Sequence, residues 1–115
     1  MKIAVIDKCP SGAKYEKYFQ FEFDLYHLSS KKLPKILKKD VDIEIDLGAY
    51  EYIILVGSEA VKNYCKTANI TDHQGYLLDE KFIPLASPAV LYFRPEAKPM
   101  FDKAVDNIHR IIEGY

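Results

Sequence analysis

The chain is short of cysteine, glycine and long apolar runs, and neither sign of charge prevails. Its two cysteines, Cys9 and Cys65, form no CxxC and no Cys/His spacing, which excludes the usual zinc frameworks. Five glycines include no GxGxxG and no GxxxxGK[ST] string, and only Gly57 falls at a strand-to-helix turn. The usual glycine-rich phosphate cradles are therefore missing. No apolar run approaches the roughly 18 residues of a membrane span. The opening Met1-Lys2-Ile3-Ala4-Val5-Ile6-Asp7 has the length of a strand, not the sustained apolar region of a signal peptide. Sixteen basic residues stand against seventeen acidic ones, net −1, so the chain as a whole is not built as a polyanion binder. There is no internal repeat and no low-complexity segment. The expectation is an intracellular protein with free thiols.

What is present is a chain of 115 residues with 49% hydrophobic residues, enough for one domain, 1–115, with a single core. Charge is placed unevenly. Lys31, Lys32, Lys35, Lys38 and Lys39 are followed at once by Asp40, Asp42, Glu44, Asp46 and Glu51. Such a dipole could orient the domain on a charged partner. A solvated helix beside a solvated loop accounts for it equally well and is preferred.

Lys2 to Asp7 is a continuous apolar run, the pattern of a strand covered on both faces. Ala13 to Gln20 fits a short helix or an irregular turn. Phe21 to Leu28 alternates and predicts a second strand. Ser29 or Ser30 can cap a helix over Lys31 to Lys39, with Leu33, Ile36 and Leu37 inward and Pro34 in the first turn. Val41, Ile43 and Ile45 alternate with acids, as an edge strand or an extended connection. Tyr52 to Gly57 is the clearest strand. Ser58 is placed as N-cap of a helix from Glu59 to about Thr67 that buries Ala60, Val61, Tyr64 and Cys65. Ile70 to Gly75 reads as a turn. Asp79-Glu80 reads as the two-residue turn of a hairpin between 76–78 and 81–85. Pro84 marks the second arm as an edge or irregular strand. Pro95 opens the last helix, with Phe101, Val105, Ile108, Ile111 and Ile112 at helical spacing and Gly114 at its end.

Strands that alternate with helices predict a three-layer α/β domain with a four-stranded, mostly parallel sheet. Three loops should then meet at the carboxyl edge: 8–12, 57–59 and 87–94. The last is the most informative stretch. A buried strand ends in the corner Ser87-Pro88, and the apolar tip Val90-Leu91-Tyr92-Phe93 leads to Arg94 and Pro95. An apolar wedge beside cations suits a surface that presses into a nucleic-acid duplex. The plain alternative is a β-to-α loop that caps the core. Phe93 is assigned to core packing, and Leu91 is left between packing and wedging.

The ordered strings "IAVIDKCPSG", "YIILVGSEAVKNYC", "ITDHQG" and "FIPLASPAVLYFRPE", followed by a terminal helix, resemble the uracil-DNA glycosylase superfamily. In that family a first loop of the type Gly-(acid)-x-Pro positions the hydrolytic water. A last strand ends in a His-Pro corner followed by a minor-groove wedge. A further resemblance covers nearly the whole chain: the N-terminal region of DNA polymerases of large tailed bacteriophages of the T-five and SPO-one kind. It rests on Lys2 to Lys8, on Ser87 to Glu96, and on Asn107-Ile108-His109. It implies a glycosylase-like module that works with a DNA polymerase, in cis or in trans, in the cytoplasm of an infected bacterial host.

Base excision needs a group that orients water and donors for the departing base anion, with the base out of the stack. At the positions matched to the family, Pro10 is kept. Lys8 stands where the acid would be, and its ammonium is donor-only. Asp7 stands at the motif glycine as a displaced acid. Ser87, a neutral hydroxyl, replaces the imidazole. No equivalent of the base-reading Asn falls between the first and third strands. Asp7, Lys8 and Ser87 are therefore degenerate positions, and no catalytic residue is assigned. The resemblance leaves Lys8, Pro88, Val90, Leu91, Arg94 and Lys98 as candidate DNA contacts, with Lys14 and Lys17 on the same rim. Solubility is the alternative role for these cations. Tyr15, Tyr18 and Tyr92 could stack on bases or simply pack. His27, His73 and His109 fall in no triad order.

The leading expectation is thus a truncated, non-catalytic glycosylase-like module of phage DNA replication. Its partners are DNA, a DNA polymerase, or both, with no cofactor, metal or membrane, and its oligomeric state is open. An active uracil or damaged-base glycosylase, a small nucleotide-binding α/β protein and a purely structural interaction protein are the competing readings.

Overall fold

The computed structural model describes residues 2–8, 15–28, 36–38, 41–43, 47–65 and 69–114. Six strands are found among them: β1 Ile3–Lys8, β2 Asp24–Leu28, β3 Ile36–Lys38, β4 Val41–Ile43, β5 Tyr52–Val56 and β6 Phe82–Leu85. They form one sheet in the order β4-β3-β2-β1-β5-β6. The four strands β2, β1, β5 and β6 run parallel, with Val5 opposite both Leu25 and Ile54, and Ile54 opposite Ile83. This is the predicted parallel sheet. The antiparallel pair β3–β4 extends it beyond β2.

Among the described residues four α-helical segments accompany the sheet: α1 Ser58–Tyr64, α2 Ile70–His73, α3 Val90–Phe93 and α4 Lys98–Glu113. Side chains alternate along a strand, so each central strand feeds two cores. Ile3, Val5, Ile54, Val56, Ile83 and Leu85 meet Phe101, Ala104, Val105, Ile108 and Ile112 of α4, with Tyr15 and Phe19 beside them. Ala4, Ile6, Ile53 and Leu55 meet Ala60, Val61 and Cys65 on the opposite face, with Tyr26 and Tyr50. Ile53, Ile54, Leu55, Ile83 and Ile108 are fully buried. Truncating any of them to Ala would remove roughly 2–5 kcal/mol. These are the three layers that the sequence predicts.

Several local expectations need correction. The predicted helix over Lys31 to Lys39 is overruled at its end, where Ile36–Lys38 is strand β3; residues 31–35 lie outside the described residues. The apolar spacing of Leu33, Ile36 and Leu37 fits a helix only if neighbours are ignored. Leu37 instead pairs with both His27 and Asp42 in the sheet. The second strand begins at Asp24, not Phe21. Phe21 and Phe23 precede it and pack against the α4-side core. Ser58 is the first helical residue rather than the cap. Gly57 is the N-cap at φ 91°, ψ 155°, a conformation that side chains disfavour, with no side-chain capping bond. Residues 70–73 form a short helix capped by Asn69, whose side chain accepts from the Asp72 amide at 2.8 Å. The hairpin around Asp79-Glu80 shrinks to a single bridge, Leu78 to Phe82, with both turn residues at positive φ. Pro84 does sit on an edge strand, as its missing amide requires.

Two contacts fix α4 to the sheet. The Gly75 amide donates to the Pro84 carbonyl at 2.8 Å, and Asn107 Nδ2 donates to the Gly75 carbonyl. Two residues further along α4, His109 accepts from the Gln20 amide at Nε2, 3.2 Å, while Nδ1 lies 2.9 Å from the Val105 carbonyl. That arrangement corresponds to the neutral tautomer with its proton on Nδ1. The same ring contacts Phe19 and Phe21.

Candidate interface at the carboxyl edge

Because β2, β1, β5 and β6 are parallel, their carboxyl ends share one edge of the sheet. The chain leaves β1 toward β2 on one side and later returns to β5 on the other. The switch point lies between β1 and β5, where open α/β sheets place ligands. Lys8 and Gly57 flank it as the last residue of β1 and the first after β5. Ser87 follows β6, two strands from Lys8, or roughly 10 Å across the sheet at the usual strand spacing. Topology thus brings the ends of the predicted loops 8–12, 57–59 and 87–94 to one edge. Residues 9–14, with Cys9, Pro10 and Lys14, lie outside the described residues.

Asp7 is 3% exposed and faces the α4-side core. Its Oδ2 accepts a 2.7 Å hydrogen bond from the hydroxyl of Tyr15, itself fully buried. Tyr15 opens a single 3₁₀ turn, Tyr15–Lys17, and its ring lies parallel to Phe19 at 6.1 Å. The one carboxylate in the position of a displaced acid is therefore fastened to the core. Ser87 Oγ accepts from the Ala89 amide at 3.3 Å, the local bond of a serine turn. The Asp7 carboxylate and the Ser87 hydroxyl are thus both engaged by neighbours on their own chain.

From Ser87 a ladder of backbone bonds builds α3: Val90 to Ser87, Leu91 to Pro88, Tyr92 to Ala89 and Arg94 to Val90. Pro88 is buried beneath it. A helix turns 100° per residue, so successive apolar residues cannot all face the sheet. Leu91 takes the inward position and packs against the α4-side core. Tyr92 and Phe93 swing outward and are 88% and 84% exposed, with Val90 at 36%. The assignment of Phe93 to the core is therefore overturned, and the question over Leu91 is settled toward packing. The outward pair was legible in one respect: four apolar residues between a Ser-Pro corner and Pro95 are too many for one inward stripe.

Arg94 ends α3, and a 3₁₀ turn, Pro95–Ala97, joins it to α4. Arg94 is exposed and has no ion-pair partner among the described residues. Glu96, also exposed, follows two residues later. Lys98 Nζ lies 2.7 Å from Asp102 Oδ2, and this bond raises its pKa above the ordinary lysine value. Both partners are exposed, so the pair adds little to stability. Of the tyrosines considered for stacking, Tyr15 is buried, Tyr18 packs edge-on against Phe101 at 5.2 Å, and Tyr92 alone is free on the surface. His73 stays within its own helix, its Nδ1 lying 3.1 Å from the Asn69 carbonyl.

The chain is similar to the DNA polymerase of Escherichia phage T5. The two are 39% identical over 127 aligned residues, which take in 99% of this chain and 15% of that polymerase. The chain thus spans well under a fifth of the relative's length. No protein-family model matches it, and no solved structure matches it. The α/β fold is therefore established by the sheet itself, and the similarity to a part of a phage DNA polymerase by the sequence.

Proposed function

We propose that this chain is a non-catalytic, glycosylase-like module of a phage replicative DNA polymerase, one that keeps the polymerase engaged with its template. The observation that carries this reading is the 39% identity to the T5 enzyme along essentially the whole chain. The state of the two degenerate groups supports the absence of base excision: Asp7 is bonded to Tyr15 and Ser87 to the Ala89 amide. The main attachment is to the polymerase. DNA contact is secondary and salt-sensitive, made at the rim by Lys8, Val90, Arg94 and Lys98, with Arg94 as the principal cation.

The test is a chimeric T5 DNA polymerase in which this chain replaces the matching region. Product lengths on primed single-stranded DNA are measured with a trap that prevents rebinding. The chimera should extend processively, and deletion of the region should shorten the products. Unchanged product length after deletion would overturn the reading. In the chimera, Arg94→Glu with Lys98→Glu should reduce the salt dependence of DNA binding by a slope of about 2.

A further inference from the structure

We infer that the Tyr92–Phe93 pair is the knob by which this module docks on the polymerase body, and that its occupant is protein rather than DNA. This inference rests on the proposed replication role and names the contact within it.

Three observations point to that occupant. The first is exposed area. Tyr92 and Phe93 are adjacent and 88% and 84% exposed. Side chains of this size carry on the order of 150–250 Å² each, so the pair approaches the few hundred Å² at which exposed apolar patches mark interaction sites. The second is rigidity. Ser87 Oγ, four backbone bonds, buried Pro88, inward Leu91 and the ring of Pro95 hold the pair on a short fixed helix. A preorganised knob loses little freedom on binding. The third is charge. A platform for single strands needs a cationic track beside its rings. Here Arg94 is followed by Glu96 and by Lys98 paired to Asp102, so the flanking charge largely cancels. Adjacent exposed aromatic rings on a patch of little net charge have the composition of a protein hot spot. The relative supplies a body for it: the similarity covers 15% of the T5 polymerase, which leaves most of that chain to receive the knob.

The test uses the same chimera, assembled on primer–template DNA, with the photoreactive residue p-benzoylphenylalanine in place of Phe93. Its exposed position tolerates an aromatic replacement, so the chimera keeps its fold. Irradiation should link position 93 to a peptide from the polymerase part, and Tyr92→Ser should lower that yield about tenfold. The melting curve of the isolated chain should stay unchanged by Tyr92→Ser. A crosslink to the DNA strand, a crosslink only to a second copy of the chimera, or no crosslink at all would each overturn the docking assignment. Failure of the wider replication reading shows separately, as product lengths that ignore deletion of the module.

Discussion

Tyr15 and Asp7, eight residues apart, are joined by a 2.7 Å hydrogen bond beneath the carboxyl edge of the sheet. The bond ties the 3₁₀ turn at Tyr15–Lys17 to the central strand. It also removes from use the only acid that the resemblance could offer for water activation.

Uracil-containing single-stranded DNA should therefore stay intact with this chain in large excess, followed by alkali treatment. Tyr15→Phe should not create base release, because Asp7 remains buried. It should lower stability by about 1–3 kcal/mol, the usual cost of removing one partner from a buried polar pair. Strand cleavage by either protein would contradict the non-catalytic reading.

Gly75→Ala should be among the most damaging single substitutions. Gly75 has φ +82°, and a Cβ there would lie 2.9 Å from the Ala104 Cα of α4. Backbone strain and overpacking together would cost roughly 2–5 kcal/mol. A melting temperature lowered by roughly 10 °C or more is expected from circular dichroism. A shift within experimental error would show that α4 can move off the turn without penalty.

The alkaline limit of the fold should depend on Tyr50. Its hydroxyl donates to Asp24 Oδ2 at 2.8 Å and shares a short hydrogen bond with Tyr26. Burial first, and then these two bonds, push its pKa far above the ordinary value of 10. Above about pH 10 the unfolded chain loses this proton while the folded chain keeps it. The contribution is thus complete below the unfolded pKa and declines as pH rises beyond it. Urea melts at about pH 8 and about pH 11 should show the loss, and Tyr50→Phe should reduce the difference between them.

Cys65 should be slow to react. It is buried, and burial followed by the nearby Asp79 raises its thiol pKa. In a Cys9→Ser background, labelling with an aromatic disulfide at about pH 8 should be slow in native buffer and fast in denaturant. Equal rates in both would mean that the α1 side of the sheet opens readily.

The fold was legible where one physical signal governed. Val5 and Ile54 lie in continuous apolar runs, and both proved to be doubly covered parallel strands. The α4 stripe from Phe101 to Ile112 was equally plain, because one helix lies on one sheet face. Legibility failed where neighbours distant in sequence decide. Leu37 could face inward on a helix, yet it pairs across the sheet with His27 and Asp42. At the edge site, sequence located the segment from Ser87 to Arg94 but misjudged its faces. Rotation within four residues sends Leu91 inward and Phe93 outward, and no periodicity can be read from so short a run.

The earliest strand, β1, occupies the middle of the sheet, and the helix that seals one of its faces begins only at Lys98. During synthesis, therefore, a ribosome-bound chain must carry Val5 and Ile54 uncovered on that face until α4 has emerged. Any truncation upstream of that helix would leave a sticky half-sheet, a substrate for chaperones and proteases rather than a smaller working module.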